Sequence, residues 1–409
     1  MAFRKLWTIA YRDLGRNRRR TFFTMFAVAL GLGLTIVLSG LIAGAFDNSI
    51  QNSIRLETGH VQLRADSYEA QKLSLQWKDL LKDPEALAAK ANAMDEVAAA
   101  APVLWAAGVL NTPDEAVGLK FYGIDPTSTV HDPIRESMVA GEFLTADDRG
   151  GILIGQRLAD DLGIQVGQKV TLAVVNADGE PEEALFTVRG LFITGFPTYD
   201  QGALFMPLAK AQAFTRTDGH ASAVVIMLHR QEDADAVAAA LQEPGVTALT
   251  WRDLNQVVLD LVKTATSIYD MMYAVVLLVV VVVVANTLLM AVFERVQEVG
   301  ILSALGMKRR QIMVMFLLEA AIIALAGIVL GFALGAIGVA YLANVGIYIG
   351  DAANSMQGFT LGTRMYGSFD AQTAIALSLW TLALTLVASL YPAWFAARME
   401  PVKALHTVQ

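Results

Sequence analysis

The segment Phe293-Glu-Arg-Val-Gln-Glu-Val-Gly-Ile-Leu-Ser-Ala-Leu-Gly-Met-Lys-Arg-Arg310 is rich in charged residues and separates two long apolar runs that contain only one charged residue between them. The preceding run covers 271–292 and the following run covers 311–345. Each reaches the roughly 20 residues that a helix needs to cross a bilayer core. A short charged helix between two membrane spans can be displaced by a partner on one side of the membrane. The pattern therefore predicts two transmembrane helices joined by a coupling helix at 293–310.

Two further apolar runs, at 22–46 and 371–395, predict two more spans. The 409 residues are 55% apolar, with a mean hydropathy of +0.47, which is more apolar than soluble domains usually are. The run 275–284 contains only valine and leucine, and β-branched residues on their own favour strands. We predict a helix here because the run is too long for a strand and lipid leaves no water to satisfy backbone groups.

Charge predicts the orientation of these spans. The segment 1–21 contains seven Lys and Arg but a single Asp, so the positive-inside rule places it in the cytoplasm. The connector ends in Lys308-Arg309-Arg310 and the tail 396–409 contains Arg398 and Lys403, whereas the loop 346–370 has no positive excess. We expect a multi-pass membrane protein with both termini in the cytoplasm. The first span could also be a signal peptide, but its apolar run exceeds a typical h-region, which favours an uncleaved anchor.

The stretch 47–254 predicts a large extracytoplasmic α+β domain of two subdomains, because predicted strands and helices alternate along it. An Ala-rich helix is predicted over 84–100, and Asp178-Gly179 predicts a hairpin turn. Residues 255–270 repeat apolar side chains at helical spacing, which predicts a stalk helix running into the second span. The alternative for this helix is an ordinary core helix of the domain.

Composition and motifs exclude several function classes. Residues 47–268 contain 17 Lys and Arg against 31 Asp and Glu, a net charge of −14 that argues against nucleic-acid binding. The phosphate loop, the His-Glu-x-x-His motif and the Gly-x-Ser-x-Gly motif do not occur. The five histidines lack ligand spacing, and no cysteine is present. We therefore expect no catalytic, cofactor-binding or metal site in this chain, and no enzyme activity of its own.

Glycines recur at four-residue spacing in two predicted spans. Gly40 and Gly44 form one such pair, and Gly327, Gly331 and Gly335 form a double repeat. Small residues at this spacing let helices approach closely in lipid, so both sets are predicted helix-packing positions. The alternative is that glycine is simply common in membrane helices.

Two polar side chains fall inside predicted spans, Asn286 in the second and Glu319 in the third. Ionisable and polar residues at membrane depth are costly, which makes a functional role the default hypothesis. The alternative for Glu319 is a position near the cytoplasmic headgroups, where it would pair with Lys308 or Arg309. We favour a structural or coupling role for both residues over an ion pathway.

Two long motifs resemble the FtsX-like ABC transporter permeases, the superfamily that includes MacB and the lipoprotein-releasing LolC and LolE. One is Asn286-Thr-Leu-Leu-Met-Ala291 followed by Glu294-Arg-Val-Gln-Glu-Val-Gly-Ile-Leu-Ser-Ala-Leu-Gly306. The other is Tyr391-Pro-Ala-Trp-Phe-Ala-Ala-Arg-Met-Glu-Pro-Val-Lys-Ala-Leu405. The order of the spans and the domain also resembles that family. Within it, Gly151-Ile-Leu-Ile-Gly-Gln-Arg-Leu158 is similar to the lipoprotein-releasing permeases.

The resemblance implies a dimeric permease subunit that transmits ATPase motion to the extracytoplasmic domain and extracts or exports lipoproteins, lipids or another hydrophobic substrate. The implied partners are two copies of an ABC ATP-binding subunit, which binds ATP and Mg, and a second permease that is identical or homologous. The implied ATPase-coupling residues are Glu294, Arg295, Glu298, Gly300, Leu305 and Gly306. Val296, Val299, Ile301 and Leu305 would supply apolar contact in a groove of the ATPase. The alternative function is a transmembrane signalling component that regulates an extracytoplasmic protein such as a cell-wall hydrolase.

One segment departs from the family pattern. LolC extends a long hairpin, the hook, that captures the lipoprotein chaperone. The corresponding turn here, 175–184, is short and acidic and has no apolar tip. Docking of a chaperone through such a hook is therefore not expected.

Overall fold

The computed structural model describes residues 18–69, 72–113, 115–350 and 364–398. Most of the predicted segment 1–21, the middle of the loop 346–370 and most of the tail 396–409 lie outside these ranges. The chain divides into two compact units. The membrane unit combines the residues up to Asp47 with Val262–Ile347 and the residues from Met365 onward, and the sheet unit combines Asn48–Leu261 with Tyr348–Arg364.

The described helices comprise seven short elements of the sheet unit, four long elements that enter the membrane unit, and one short element, α10, within the membrane unit. In chain order they are α1 (Arg18–Ser53), α2 (Pro84–Asn92), α3 (Asp132–Glu136), α4 (Gln156–Leu162), α5 (Pro197–Gly202), α6 (Leu208–Thr215), α7 (Ala234–Leu241), α8 (Trp251–Leu254), α9 (Gln256–Glu294), α10 (Val296–Ala304), α11 (Arg309–Val345) and α12 (Ala371–Ala397). A π-helical turn, Ile54–Thr58, directly follows α1.

The strands belong mainly to the sheet unit. They are β1 (Val61–Ala65), β2 (Leu81–Lys82), β3 (Val97–Asn111), β4 (Ala116–Ile124), β5 (Met138–Gly141), β6 (Gly151–Gly155), β7 (Lys169–Val175), β8 (Pro181–Phe192), β9 (Ala203–Pro207), β10 (His220–Ala221), β11 (Ala223–Leu228), β12 (Val246–Thr250), β13 (Ile347–Tyr348) and β14 (Arg364–Met365).

Four helices of the described chain are long and apolar enough to cross a membrane. They are α1 with its π turn, α9, α11 and α12. This confirms the predicted class, four membrane helices with a large α+β domain between the first and the second. Helix α9 joins the predicted stalk 255–270 and the predicted span 271–292 into one element, because no glycine or proline interrupts it.

One large sheet organises the sheet unit, with strand order β12-β1-β11-β3-β4-β9-β6-β8-β5 and with β7 pairing to both β3 and β8. Strand β3 is 15 residues long and links the two parts of the sheet. Its first half pairs with β11, and its second half pairs with β4. Neighbouring residues of β3 point to opposite faces, so Trp105 enters one hydrophobic core and Leu104 the other. The two expected subdomains thus take the form of two cores on one continuous sheet.

The predicted helix over 84–100 is wrong in its second half. Helix α2 ends at Asn92, and β3 begins at Val97. The Asn92 side chain both donates to the carbonyl oxygen of Ala100 and accepts from its N–H, at 3.0 and 2.8 Å. Pairing of β3 with β11 gives the alanine-rich segment a complete hydrogen-bond ladder, which outweighs the helix propensity of alanine.

The hairpin predicted at Asp178-Gly179 is confirmed. Strands β7 and β8 pair from Lys169 to Pro181, and Gly179 adopts a φ of +82° in the turn, which only glycine adopts without strain. Arg216 reaches this turn and contacts Glu180 at 2.8 Å and Glu182 at 2.9 Å. The acidic turn is therefore held against the end of α6.

Candidate coupling site and helix seams

The connector between the second and third spans is a short helix bounded by two breaks. Helix α9 ends at Glu294, and Arg295 leaves the helical conformation before α10 begins at Val296. At the other end Gly306 has a φ of +93°, and the Met307 N–H donates to the carbonyl oxygen of Leu302 at 3.0 Å. This is the usual way in which a glycine closes a helix C-terminus. The breaks at Arg295 and Gly306 therefore make α10 a separate helix that is joined to each span by only a few residues.

The inner face of α10 packs on the helix bundle. Val299 is 2% exposed and Gly300 is also buried. Val299 lies in one apolar cluster with residues of α9, α11 and α12, namely Val292, Ile312, Met315, Phe316, Ala393, Ala396 and Ala397. Val299 was predicted as an ATPase contact, but the structure directs it inward, because it lies opposite the exposed side of the helix.

The outer face of α10 is apolar and exposed. Ile301 is 51% exposed and Leu305, at the C-terminal cap of the helix, is 80% exposed. Gln297 and Ala304 are also exposed, and these four residues recur at spacings of three or four along one side of the helix. Of the predicted contact residues, Ile301 and Leu305 therefore lie outward, whereas Val296 and Glu298 are half-buried.

An ion-pair network joins three of the long helices beneath the connector. Arg20 of α1 lies 2.6 Å from Glu294 at the end of α9 and 3.8 Å from Glu319 of α11. Arg295 lies 3.5 Å from the second oxygen of Glu319. The side chains of Arg295 and Glu319 are only 5% and 2% exposed. Buried charges are costly unless paired, so the network fixes the relative positions of these helix ends.

This network bears on one alternative, for Glu319, and corrects one expectation, for Arg295. Glu319 does not pair with Lys308 or Arg309 but with Arg20 and Arg295. Arg295 is not part of the exposed surface, because it occupies the break before α10 and its guanidinium lies in the bundle interior. From the sequence alone, Arg20 is one of the seven basic residues of segment 1–21 and has no predicted partner. An intramembrane carboxylate that needs a cation on a facing helix was the signal that could have found it.

The double glycine repeat of α11 is a packing seam against α1. A Cβ atom on Gly327 would lie 2.8 Å from Val28 Cβ, and one on Gly331 would lie 2.7 Å from the Ala29 carbonyl oxygen. A Cβ on Gly335 would lie 2.8 Å from Ile36 Cβ. The helices are thus closer than any larger residue would allow.

Gly40 packs on a facing helix as predicted, because a Cβ there would lie 2.6 Å from Val339 Cγ2 of α11. Both Gly40 and Gly44 also admit the segment Tyr366–Ser368, which precedes α12. The Ser368 N–H donates to the Gly40 carbonyl oxygen at 2.8 Å. A Cβ on Gly44 would lie 2.1 Å from the Tyr366 carbonyl oxygen, so the backbone of this segment replaces the second helix.

Asn286 lies on the exposed side of α9. The opposite, buried side of this helix is formed by Tyr273, Leu277, Val280, Val284 and Leu288. The exposed side contains apolar residues before and after Asn286, including Val275, Val279, Val282 and Met290. The structure therefore does not bring Asn286 together with Glu319.

The π turn after α1 is held by side chains of the sheet unit. Gln62 Nε2 donates to the carbonyl oxygens of Glu57 and Thr58, both at 3.2 Å, and Tyr199 donates to that of Leu56 at 2.8 Å. Lys120 Nζ lies 2.6 Å from the Glu57 carboxylate. Burial raises the pKa of the Tyr199 hydroxyl, so it stays a donor. Sequence patterns did not reveal this junction, because its members are spread over four elements.

The described residues contain no group of three or more His, Asp or Glu side chains that could hold a metal ion. The buried histidine of the sheet unit, His131, stays neutral, since burial lowers its pKa from 6.5 to about 4. The candidate site therefore consists of an outward apolar patch on α10, an ion-pair network behind it, and tight seams between the long helices.

Comparison with known proteins agrees with this arrangement. Residues 21–243 match the model of the MacB-like periplasmic core domain, and residues 271–401 match that of the FtsX-like permease C-terminal region. The lipoprotein-releasing system transmembrane protein LolC of Neisseria meningitidis serogroup B is 26% identical, over 95% of this chain and 95% of that protein. The macrolide export ATP-binding/permease protein MacB of Nitrobacter winogradskyi is 24% identical, over 97% of this chain and 59% of that protein.

Among solved structures, the periplasmic region of MacB from Actinobacillus actinomycetemcomitans is similar at a TM-score of 0.36 and 11% identity. The similarity covers 51% of this chain and 97% of that one. The extracellular domain of the noncanonic ABC-type transporter YknZ from Gram-positive bacteria has a TM-score of 0.33 at 12% identity, over 46% of this chain and 99% of that one.

Proposed function

The chain belongs to the family of ABC transporter permeases that combine a MacB-like periplasmic core domain with an FtsX-like C-terminal region, and on that basis we propose that it is the membrane subunit of a transporter driven by a separate ATP-binding protein. In this proposal ATP and Mg bind to the partner subunit, and this chain binds no cofactor. Its termini and α10 face the cytoplasm, and the sheet unit lies outside the inner membrane.

The observation that carries the proposal is the two-sided construction of α10. Its outer side offers Ile301 and Leu305 to a partner, while its inner side is packed on the bundle through Val299. An amphipathic helix that lays an apolar face into a groove is a common mode of protein recognition. Glu298, Gly300 and Gly306 act here by shaping α10, and Leu305 acts by contact.

The ion-pair network connects this docking site to the ends of the other long helices. Arg20, Glu294 and Glu319 belong to α1, α9 and α11, so a push on α10 is passed to three helix ends together. In this proposal Arg295 and Glu294 brace the connector rather than contact the partner. The first span and its π turn form 41 continuous helical residues, about 60 Å at 1.5 Å per residue. Such a rod transmits displacement along its axis to the residues that hold the π turn.

We assign the exposed face of α9 to a second permease copy, identical or homologous. A carboxamide facing lipid has no hydrogen-bond partner, whereas in a two-fold pair of α9 helices Asn286 would face the same residue of the second copy. The chain lacks cysteine, so single-cysteine variants report contacts without background. Asn286→Cys in native membranes should form a disulfide-linked dimer on mild oxidation, and Ile337→Cys, 68% exposed on α11, should not. Equal cross-linking of both variants would exclude this interface.

The cargo we propose is a lipoprotein, a lipid or another hydrophobic molecule taken from the membrane or the periplasm. This follows the printed names of the relatives, which describe lipoprotein release and macrolide export. The scarcity of polar side chains in the four spans supports it, because a hydrophilic conduit would need more of them. The β7–β8 hairpin exposes Val175 and Leu185 near its acidic turn, but that turn is tied back by Arg216.

The docking role of α10 is tested by Leu305→Ser. We expect this variant to insert and fold normally but to lose the ATP-binding subunit on purification from native membranes. The matched control is Val257→Ser on α9, because Val257 is 72% exposed, similar to Leu305, but lies in the sheet unit. Retention of the ATP-binding subunit by Leu305→Ser, or equal loss from both variants, would contradict the proposed docking site.

A further inference from the structure

A cleft of the sheet unit lies between α2 and α6. Its volume of about 410 Å³ falls in the range of roughly 300–1,000 Å³ that is typical of small-molecule sites. Residues of α2, β3, the segment after β4 and the β9–α6 junction line it. Five alanines and three prolines form most of this lining, and their small or rigid side chains leave the volume unfilled. The cleft therefore offers apolar walls that are in place before a ligand arrives.

Two amide side chains line the cleft, and they differ in what they leave free. Asn92 uses both of its amide groups on the backbone of Ala100, at 3.0 and 2.8 Å. Gln212 is 8% exposed, and its Nε2 donates to the His220 carbonyl oxygen at 2.9 Å. Within the described part of the chain, Gln212 Oε1 accepts no hydrogen bond. This oxygen is not fully buried, so it opens into the cleft as a free acceptor.

Two carboxylates line the same cleft. Glu85 lies exposed in the first turn of α2, and no residue that the structure describes forms an ion pair with it. Asp125 is half-buried, and its Oδ1 accepts from the N–H and the hydroxyl of Thr127 at 2.9 and 2.7 Å. Its Oδ2 has no hydrogen-bond or ion-pair partner in the described ranges. The free side-chain atoms of the cleft are thus all acceptors, and two of the groups are negatively charged.

Positive side chains of the chain itself do not compensate this charge. The described residues that line the cleft include no Lys or Arg. Arg135 lies beside the cleft, because it donates to the Pro126 carbonyl oxygen at 2.6 Å, but it is paired with Asp132. Asp125 also acts on His131, which burial keeps neutral. Since the surrounding unit has a strong negative charge as well, the field in this cleft attracts cations.

We propose that the cleft binds a small amphipathic organic cation, a protonated amine attached to an apolar body. The ammonium would donate to the free acceptors of the cleft, and the apolar body would lie on its alanines and prolines. A neutral ligand would leave the carboxylates uncompensated, and an anion would be repelled. The site belongs to the sheet unit and does not depend on an ATP-binding partner, so its failure would leave the proposed role of α10 untouched.

The experiment measures hydrogen exchange of α2 and α6 in the full-length protein in nanodiscs at constant ionic strength. Three probes share one ring and chain but differ in charge: 4-phenylbutylamine is cationic, 4-phenylbutanol is neutral, and 4-phenylbutyrate is anionic. A fourth probe, N-acetyl-lysine methylamide, keeps the ammonium but lacks the ring. We expect 4-phenylbutylamine to slow exchange in both helices, with an apparent Kd about tenfold or more below that of 4-phenylbutanol.

Variants of the lining test the same assignment. Asp125→Asn should weaken binding of 4-phenylbutylamine by about tenfold and leave that of 4-phenylbutanol nearly unchanged. Asp161→Asn is the matched control, because it removes the same charge from an exposed position outside the cleft. Ala209→Phe fills the cleft from an exposed position and should abolish the response. Should Asp125→Asn fail to fold because Thr127 loses its acceptor, the exposed Glu85→Gln should still weaken binding several-fold.

Each outcome decides the proposal. Equal affinity for 4-phenylbutylamine and 4-phenylbutanol, or tighter binding of 4-phenylbutyrate, overturns it. Equal affinity for N-acetyl-lysine methylamide also overturns it, because the apolar body would then contribute nothing. If Asp125→Asn and Glu85→Gln respond like Asp161→Asn, or if Ala209→Phe responds like the wild type, the effect arises outside the cleft and the proposal is wrong.

Discussion

Removing the carboxylate of Glu319 should be the most damaging single change in the membrane unit. Glu319 is 2% exposed and accepts from Arg295, which is 5% exposed, so both charges depend on each other rather than on water. Breaking a buried ion pair by removing one partner costs about 3–5 kcal/mol. We expect Glu319→Gln to lie at the lower end, about 3 kcal/mol, because Arg20 keeps its closer contact with Glu294 at 2.6 Å.

The comparison that isolates this effect is a double-mutant cycle. Arg295→Gln alone should also destabilise, because it removes a buried cation 3.5 Å from the buried Glu319 carboxylate, and Arg20 lies farther away at 3.8 Å. The double variant Glu319→Gln with Arg295→Gln should be less destabilised than the sum of the two by at least about 1 kcal/mol. Glu294→Gln is the control, since its side chain is 39% exposed and its loss should cost less than about 1 kcal/mol.

The assay is unfolding of the detergent-solubilised protein by titration with a denaturing detergent, followed by tryptophan fluorescence. The free energy of unfolding of each variant is compared with that of the wild type. Additive effects of Glu319→Gln and Arg295→Gln, or a cost of Glu319→Gln no larger than that of Glu294→Gln, would refute the reasoning that the pair is buried and mutually dependent.

Three further outcomes are expected. Gly331→Val should weaken α1–α11 packing by about 1–3 kcal/mol, because a Cβ at that position would lie 2.7 Å from the Ala29 carbonyl oxygen. The control is Gly118→Val, where nothing lies within 4 Å of an added Cβ, and a thermal midpoint equal to that of the control would contradict the seam. Tyr199→Phe should cost about 1 kcal/mol and speed hydrogen exchange in the π turn, through loss of the bond to Leu56; unchanged exchange there would refute the junction. Burial lowers the pKa of His131 from 6.5 to about 4 in the folded state, so the unfolded state binds the proton at a higher pH. The free energy of unfolding should therefore fall as pH drops from about 6.5 to 4, by about 3 kcal/mol in total. His131→Gln should flatten this pH dependence in unfolding measurements, and an unchanged slope would assign it to other groups.

Hydropathy sufficed to predict the four spans because lipid allows few alternatives to a long apolar helix. The same argument could not predict where each helix ends. Helix α9 continues from Gln256 through the membrane to Glu294, since its amphipathic first turns contain no helix breaker. The hairpin at Gly179 was predictable for a local reason, the need for a positive φ at that position.

What the sequence could not supply were contacts between distant residues. The segment after Asn92 is a strand because β11 is available to pair with it, and β11 lies more than a hundred residues further along the chain. Arg20 and Glu319 are similarly far apart, so their pairing needs the packing of α1 on α11 to be known first. The spacing predicts a helix seam at Gly40 and Gly44, and Gly40 does meet Val339 of α11, but Gly44 meets the backbone of Tyr366–Ser368, which has no motif of its own.

The polar residues of the connector show the limit of assigning roles from a motif. Glu294, Arg295 and Glu298 stand in a charged stretch that reads as one docking surface. The break at Arg295 turns that residue into the bundle, and the α10 helix presents Ile301 and Leu305 instead. A helical periodicity applied through the break would have assigned the wrong face, because α9 and α10 do not share one continuous register.

The central claim is that the outer face of α10 is the docking site of an ATP-binding subunit. The most direct test places a photoreactive probe on the single cysteine of Leu305→Cys and cross-links it in native membranes. Mass spectrometry should identify a protein with a nucleotide-binding phosphate loop attached to Leu305→Cys but not to the control Val257→Cys. Absence of any ATP-binding protein from the Leu305→Cys adducts, or the same adduct from both positions, would contradict the claim.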